Sequence, residues 1–493
     1  MSMIQKATPP EIQRGLRNSV YDGAFAQIMI VLTSGVFLTG FALAVGGNEW
    51  HVGILASIPF VAQLTQLVTS FTIEQRGKRK TTLLWLVSIS RYSWLILLGL
   101  LLLKRPAVNP AAIWMLVGVS IVSYLCGSAG AVAWLSWMAD LVPEKIRGRY
   151  FAKRNRILAL VGVVVMLAAG RYLDLWHTPN ADLEVYGFLT LFLFAVLCGD
   201  ISLRFLRKIP DLESRSLPSE GLDFWKMVRI PFSDRNFLRL ALFSTAWSFS
   251  VYLSAPFFAV YMLKDLKMSY GLLALVQIVN EVASILALPL WGKLSDRFGS
   301  KPVLSLTTLA ASLLPILWLA TASRHFILII VVLQLYGGVF WSGLNLNSNN
   351  LLLKLSPREN RSVYLASFAA VTGLATAIAP LLGGFLALRL RETELVFRSF
   401  RIYDLHFIFL ISGALRLLSR PILKGVSEPK ERTLGRMIRT LGRLRTINVT
   451  RGFEPLMNYV YLVTTRVADF IEKKPDAENP DRENRGDGQK RDG

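Results

Sequence analysis

Apolar runs of 18 or more residues recur along this chain from about residue 21 to residue 424. Each can cross ~30 Å of hydrocarbon as a helix. Lipid offers the backbone no hydrogen-bond partners, so such runs must satisfy their amides internally. The pattern predicts an all-α polytopic membrane protein with twelve transmembrane helices. The spans are read at about 21–45, 52–72, 81–103, 111–139, 156–174, 184–206, 236–263, 269–291, 302–322, 326–350, 362–388 and 405–423, each sized for the bilayer with some tilt.

The formal charge of +22 would suggest nucleic acid in a soluble chain. Here the basic residues fall in loops and tail, with Arg91 read as lying within a span, and concentrate on the side of both termini. The positive-inside rule accounts for that distribution. It predicts a multi-pass protein of the plasma (cell inner) membrane with both termini cytoplasmic, and no nucleic-acid partner. Cys126 and Cys198 fall inside spans and read as small buried hydrophobes. His51, His177, His325 and His406 map to the outer side, without the spacing of a metal site. No nucleotide loop and no nucleophile–base pair is found, so neither a cofactor nor an enzyme activity is expected.

An internal repeat supports two parallel halves. Residues 141–170 align without gaps on 355–384, and eight of thirty positions match at an offset of 214. The matches pair Leu141 with Leu355, Pro143 with Pro357, Arg147 with Arg361, Tyr150 with Tyr364 and Gly170 with Gly384. The predicted organisation is an N-terminal six-helix bundle (1–207), a connector (208–235), a C-terminal six-helix bundle (236–424), a basic amphipathic tail (425–472) and a disordered tail (473–493). In the tail, Leu434, Met437, Ile438, Leu441, Leu444 and Ile447 share a helical face and Arg432, Arg436, Arg439 and Arg443 lie mostly elsewhere. That arrangement suits anionic lipid headgroups.

Between helices 8 and 9 stands WGKLSDRFGSKPVL, residues 291–304. Gly292, Leu294, Asp296, Arg297, Gly299 and Lys301 appear there in an order that resembles the signature loop of the major facilitator superfamily. A weaker copy follows helix 2 at 70–83, where Glu74, Gly77 and Arg79 align with Asp296, Gly299 and Lys301. The resemblance covers about residues 15–424 and implies alternating access between two bundles. A carboxylate at a helix end can meet an arginine or a helix N-terminus, so these residues are read as a gate. Asp140, Arg147 and Arg361 are its candidate partners. Gly292 would permit close helix contact and Gly299 a tight turn.

The resemblance also points to helices 1, 4, 7 and 10 as cavity walls, with helix 3 outside. Gln27, Ser34, Trp134, Trp247, Ser250, Gln334, Trp341 and Asn345 are the candidates there, since amides and indoles hydrogen-bond and stack a neutral or amphipathic solute. No cation is read at mid-depth on those four helices, which argues against an anionic solute. Glu281, near the middle of helix 8, is the proton-coupling candidate, because charge at membrane depth is costly. Arg91 is read as a brace. Ala379 to Gly384 in helix 11 resembles a drug-exporter signature but stands in the other half, and reads as a closely packed helix. The expected function is secondary active or facilitative transport of a small neutral or amphipathic solute by a monomer. Proton-coupled efflux of drugs or metabolites, and a non-transporting receptor or scaffold, are the alternatives.

Overall fold

The computed structural model describes residues 9–66, 69, 79–103, 105–177, 180–211, 231–323, 325–357, 361–391, 393–397, 400–403 and 405–428. Twelve helical spans follow one another through it. In the N-terminal half, α1 is Pro9–Leu32 continued by Gly35–Ala44, α2 is Glu49–Gln63, and α3 is Arg79–Tyr92 continued by Leu95–Leu98. They are followed by α4 (Ala111–Leu141), α5 (Glu144–Trp176) and α6 (Ala181–Arg207). In the C-terminal half, α7 is Arg235–Tyr252 continued by Phe257–Val260, and α8 is Tyr270–Phe298. They are followed by α9 (Ser300–Leu317), α10 (Phe326–Leu355), α11 (Arg361–Leu390) and α12 (Leu405–Lys424). Eleven of these are long and apolar enough to cross a membrane, and α2 is described over 15 residues.

Six helices pack together in each half, as α1 on α6 and α3 on α4, then α8 on α10 and α9 on α12. The bundles meet along two seams, α2 against α11 and α5 against α8. Small residues make both seams possible, since bilayer helices associate by close backbone approach. A Cβ at Gly384 would lie 2.8 Å from the Glu49 carbonyl oxygen of α2. A Cβ at Gly170 would lie 2.8 Å from the Tyr270 carbonyl oxygen of α8. The proline–glycine stretch of α11 thus serves the seam.

Several helices run past their predicted ends, because hydropathy marks only the part that lies in hydrocarbon. Helix α5 begins at Glu144 rather than near 156, and α8 continues through Asp296 to Phe298. The basic turn at 291–304 is accordingly no loop. Two helices meet at Gly299, whose φ of +96° only glycine adopts without strain. A Cβ at Gly292 would meet nothing within 4 Å, so that glycine makes no close contact here. Between α11 and α12, where a loop was expected, β1 (Glu394–Phe397) pairs antiparallel with β2 (Phe400–Tyr403). Not all intramembrane arginines were read either: Arg416 and Arg420 lie within α12, and Arg416 is 1% exposed.

The face on which α1 begins and α12 ends is termed the terminal face, and its opposite the distal face. Besides α3, which breaks between Tyr92 and Leu95, two spans are interrupted inside the bundles. Helix α1 breaks at Thr33 and Ser34, where Gly35 has φ +55°. Helix α7 breaks between Tyr252 and Phe257. Both are the first helices of their halves, and such breaks mark the binding region of many transporters.

Candidate solute site and gates

A cavity of about 550 Å³ lies within the N-terminal bundle. Gln27, Thr33 and Ser34 of α1, Gln63 of α2, Ser90 and Arg91 of α3, and Ser123, Ser128 and Trp134 of α4 contribute to its walls. Asp22 and Arg154 line it as well. A second cavity, about 190 Å³, lies within the C-terminal bundle between α7, α9, α10 and α11. Trp247, Trp341 and Asn345 face it, with Ser244, Thr308, Phe368 and Thr372.

The eight cavity candidates therefore divide. Gln27, Ser34 and Trp134 belong to the first cavity, and Trp247, Trp341 and Asn345 to the second. Gln334 instead accepts from the amide of Asn280 at 3.1 Å, tying α10 to α8. Ser250 is buried and donates to the Ala246 carbonyl, 2.6 Å, one turn back. Helix 3, expected outside, supplies part of the first wall. The repeat reappears in three dimensions: Arg154 and Leu158 line the first cavity, and the residues 214 later, Phe368 and Thr372, line the second.

Beneath the first cavity lies a buried charge network. Arg91 donates to the Gly199 carbonyl and to Ser202 Oγ, both at 2.8 Å, and stands 3.7 Å from the Asp22 carboxylate. Ser202 in turn donates to Asp22. Arg91 thus braces α3 to α6, as expected, and also faces the cavity. In the C-terminal bundle Arg416 does comparable work from α12. Its guanidinium reaches the Ala311 carbonyl at 3.0 Å and Ser254 at 3.3 Å, and lies 5.8 Å from the Trp341 ring. No carboxylate pairs with it among the described residues.

Glu281 is exposed on α8 and lines none of these cavities. Asp296 and Arg297 are exposed too, Arg297 lying 5.4 Å from the Phe298 ring. The carboxylate seated on this corner comes from beyond α12. Glu428 accepts from the amides of Ser300 (3.0 Å) and Lys301 (2.7 Å) and from Lys354 Nζ of α10 (2.7 Å). Burial raises the Glu428 carboxyl, but the Lys301 amide, the Lys354 ammonium and the Ser300 amide outweigh it and hold it below the usual range. It caps the N-terminus of α9, where the helix dipole favours an anion. In the other half Arg79 pairs with Asp140, and Arg147 donates to the Ala139 carbonyl at 2.9 Å. Glu74 and Gly77 lie outside the described residues. Arg361 is exposed at the start of α11.

Residues 240–464 match the family model of the Major Facilitator Superfamily. The fold is also that of solved transporters. The nucleoside transporter NupG superposes with a TM-score of 0.62 at 11% identity, over 84% of this chain and 100% of that one. The superfamily's sequence pattern is thus present in the C-terminal part of the chain. A bacterial homologue of the iron transporter ferroportin in its inward-facing state gives 0.63 at 14% identity, covering 86% of this chain and 100% of that one. The xylose transporter XylE from E. coli, in an inward-open conformation, gives 0.60 at 14% identity over 87% and 99%. No curated protein matches by sequence. At such identities the superfamily likeness carries the fold and leaves the solute open.

What sequence reading missed was Asp22, Arg91 and Arg154 as cavity residues. An opposite pair of charges inside spans of one half was the available signal for the first two. Arg154 precedes the apolar run of α5, so hydropathy gives no sign of it.

Proposed function

We propose that this chain is a major facilitator superfamily carrier that moves a small amphipathic solute across the plasma membrane by alternating access. The observation behind it is where the two bundles are tied. Among the described residues, the hydrogen bonds and ion pairs between them cluster at the distal face. Lys264 of α7 pairs with Glu49 of α2. Tyr270 donates to Glu184 at 2.7 Å, and the Gly271 amide to Asp174 at 3.2 Å. The polar clamps at the terminal face, Arg79–Asp140 and Glu428–Lys354, each stay inside one bundle. This is the pattern of a carrier sealed distally and free to part at the terminal face. With both termini cytoplasmic, it corresponds to an inward-facing state.

In this reading residues 1–207 and 236–424 move as two bodies. The corner at Gly299 and its weaker counterpart near Arg79 keep each body rigid during the exchange. Asp22 replaces Glu281 as the first candidate for proton coupling, since it is the carboxylate that lines the larger cavity. The chain acts as a monomer, with its basic tail on anionic lipid. Purified protein in proteoliposomes tests the reading by counterflow of solutes first selected for thermal stabilisation. Counterflow per folded protein recovered is expected to survive Asp22→Asn while gradient-driven accumulation is lost. Full accumulation in Asp22→Asn would remove Asp22 from the mechanism, and its loss in Glu281→Gln would return the role to Glu281.

A further inference from the structure

The charges around the N-terminal cavity do not balance. Asp22, Arg91 and Arg154 line it, one carboxylate against two guanidinium groups. Asp22 is already engaged by Arg91 and Ser202. Arg154 has the Ser19 carbonyl 3.3 Å from its Nε and the face of Trp134 4.3 Å away, and it feels the Asp22 carboxylate only from beyond ion-pairing distance. No carboxylate lies within ion-pairing distance of it among the described residues. A half-buried cation with no carboxylate in direct contact keeps its guanidinium fork available to a further anion.

A second feature of the same wall points the same way. Trp134 lines the cavity, and its Nε1–H is buried with no hydrogen-bond acceptor. Stacked planar groups thus offer an indole donor and a guanidinium fork without a directly paired carboxylate, which fits a planar oxyanion. The remaining wall includes Ile30, Val87 and Leu158, and the volume suits a small organic molecule. The equivalent place in the C-terminal cavity holds Phe368, so a cation at this repeat position belongs to the N-terminal half.

We propose that the N-terminal cavity binds an organic anion, with its carboxylate on Arg154 and Trp134 Nε1 and its apolar body along Ile30, Val87 and Leu158. This deepens the transport reading and rests on it for its use; it also amends the expectation of a solute without negative charge, which considered helices 1, 4, 7 and 10 and left out helix 5. Gly23 becomes a positioning residue, because a Cβ there would lie 2.5 Å from Arg154 Nη2 and push the guanidinium from its seat.

The test is equilibrium binding to the purified full-length protein, using phenylacetate and octanoate, their neutral amides, and sulfate. The acids are expected to bind about tenfold tighter than their amides and tighter than sulfate, as a charge-assisted fork allows. Arg154→Gln should erase the acid preference, Arg154→Lys keep part of it, and Gly23→Ala weaken it with the charge still present. Should Arg154→Gln fail to fold, Gly23→Ala and Trp134→Phe carry the test. Equal affinity for acid and amide, sulfate binding as tight as the acids, no acid binding, or a preference indifferent to all these variants would overturn the proposal. Counterflow separates it from the transport reading. Flux of the amide without acid preference would sink the anion site alone. Acid binding without flux of any bound acid would count against transport and leave the anion site standing.

Discussion

Gly170 and Gly384, 214 residues apart, hold matching places in the two seams between the bundles. Each lets its helix touch the backbone of the other half, α5 against Tyr270 and α11 against Glu49. The repeat first seen as eight identities is therefore a repeat of contacts. It places the moving parts on either side of glycine-lined surfaces.

Alanine at either seam position should be felt. A new Cβ would press on backbone rather than on a yielding side chain, and overpacking of this kind costs about 1–3 kcal/mol. Gly170→Ala and Gly384→Ala should each lower thermal stability in detergent. Gly373→Ala, where nothing lies within 4 Å, should leave it unchanged, and equal loss at Gly373 would refute the seam argument.

The Asp22–Arg91 pair should behave as a buried unit. Its side chains are 5% and 9% exposed, and removing one partner of such a pair typically costs about 3–5 kcal/mol. Asp22→Asn and Arg91→Met are each expected to destabilise the protein strongly, and the double variant less than their sum. Strict additivity in a double-mutant cycle would show that the two do not interact.

Glu428 gives the terminal face an acid-sensitive cap. Its folded-state pKa is depressed, so its contribution is fully present above the ordinary carboxylate value, about 4.3. It is lost as pH falls from there through the lower folded-state value. Hydrogen exchange at the Ser300 and Lys301 amides should accelerate in Glu428→Gln at neutral pH. Wild type and variant should converge under acid. A difference that grows on acidification would contradict this sign.

The distal ties should set the balance between states. Lys264→Ala and Glu49→Gln remove the same cross-bundle ion pair, so both should shift the population toward a distally open form. Accessibility of a cysteine placed at Leu43, half-buried beside this ion pair, should rise in both. A rise in only one would point to a local effect.

The spans were legible because hydrocarbon demands long apolar runs, and the gate turn because its residue order is distinctive. What lay between could not be read in one dimension. Helix α5 passes through Lys153 and Arg154 before its apolar run begins, and a hydropathy count stops where charge appears. Only the folded bundle brings Arg154 of α5 to Gly23 of α1 and Trp134 of α4. Asp296 was chosen for the corner because it is close in sequence, whereas Glu428 arrives there from beyond α12. Glu281 was chosen by depth, and depth says nothing about which way a helix faces.

Pulsed electron–electron distance measurement in a cysteine-free background tests alternating access most directly. One spin-label pair would span the distal face at Ala181 and Lys267, and another the terminal face at Glu144 and Lys293, all exposed positions. Two bodies rocking about the α2–α11 and α5–α8 seams predict two populations, with the distal distance lengthening as the terminal distance shortens. Ligand or Lys264→Ala should shift both pairs by the same fraction. A single population at both faces, or distances that lengthen together, would contradict the account.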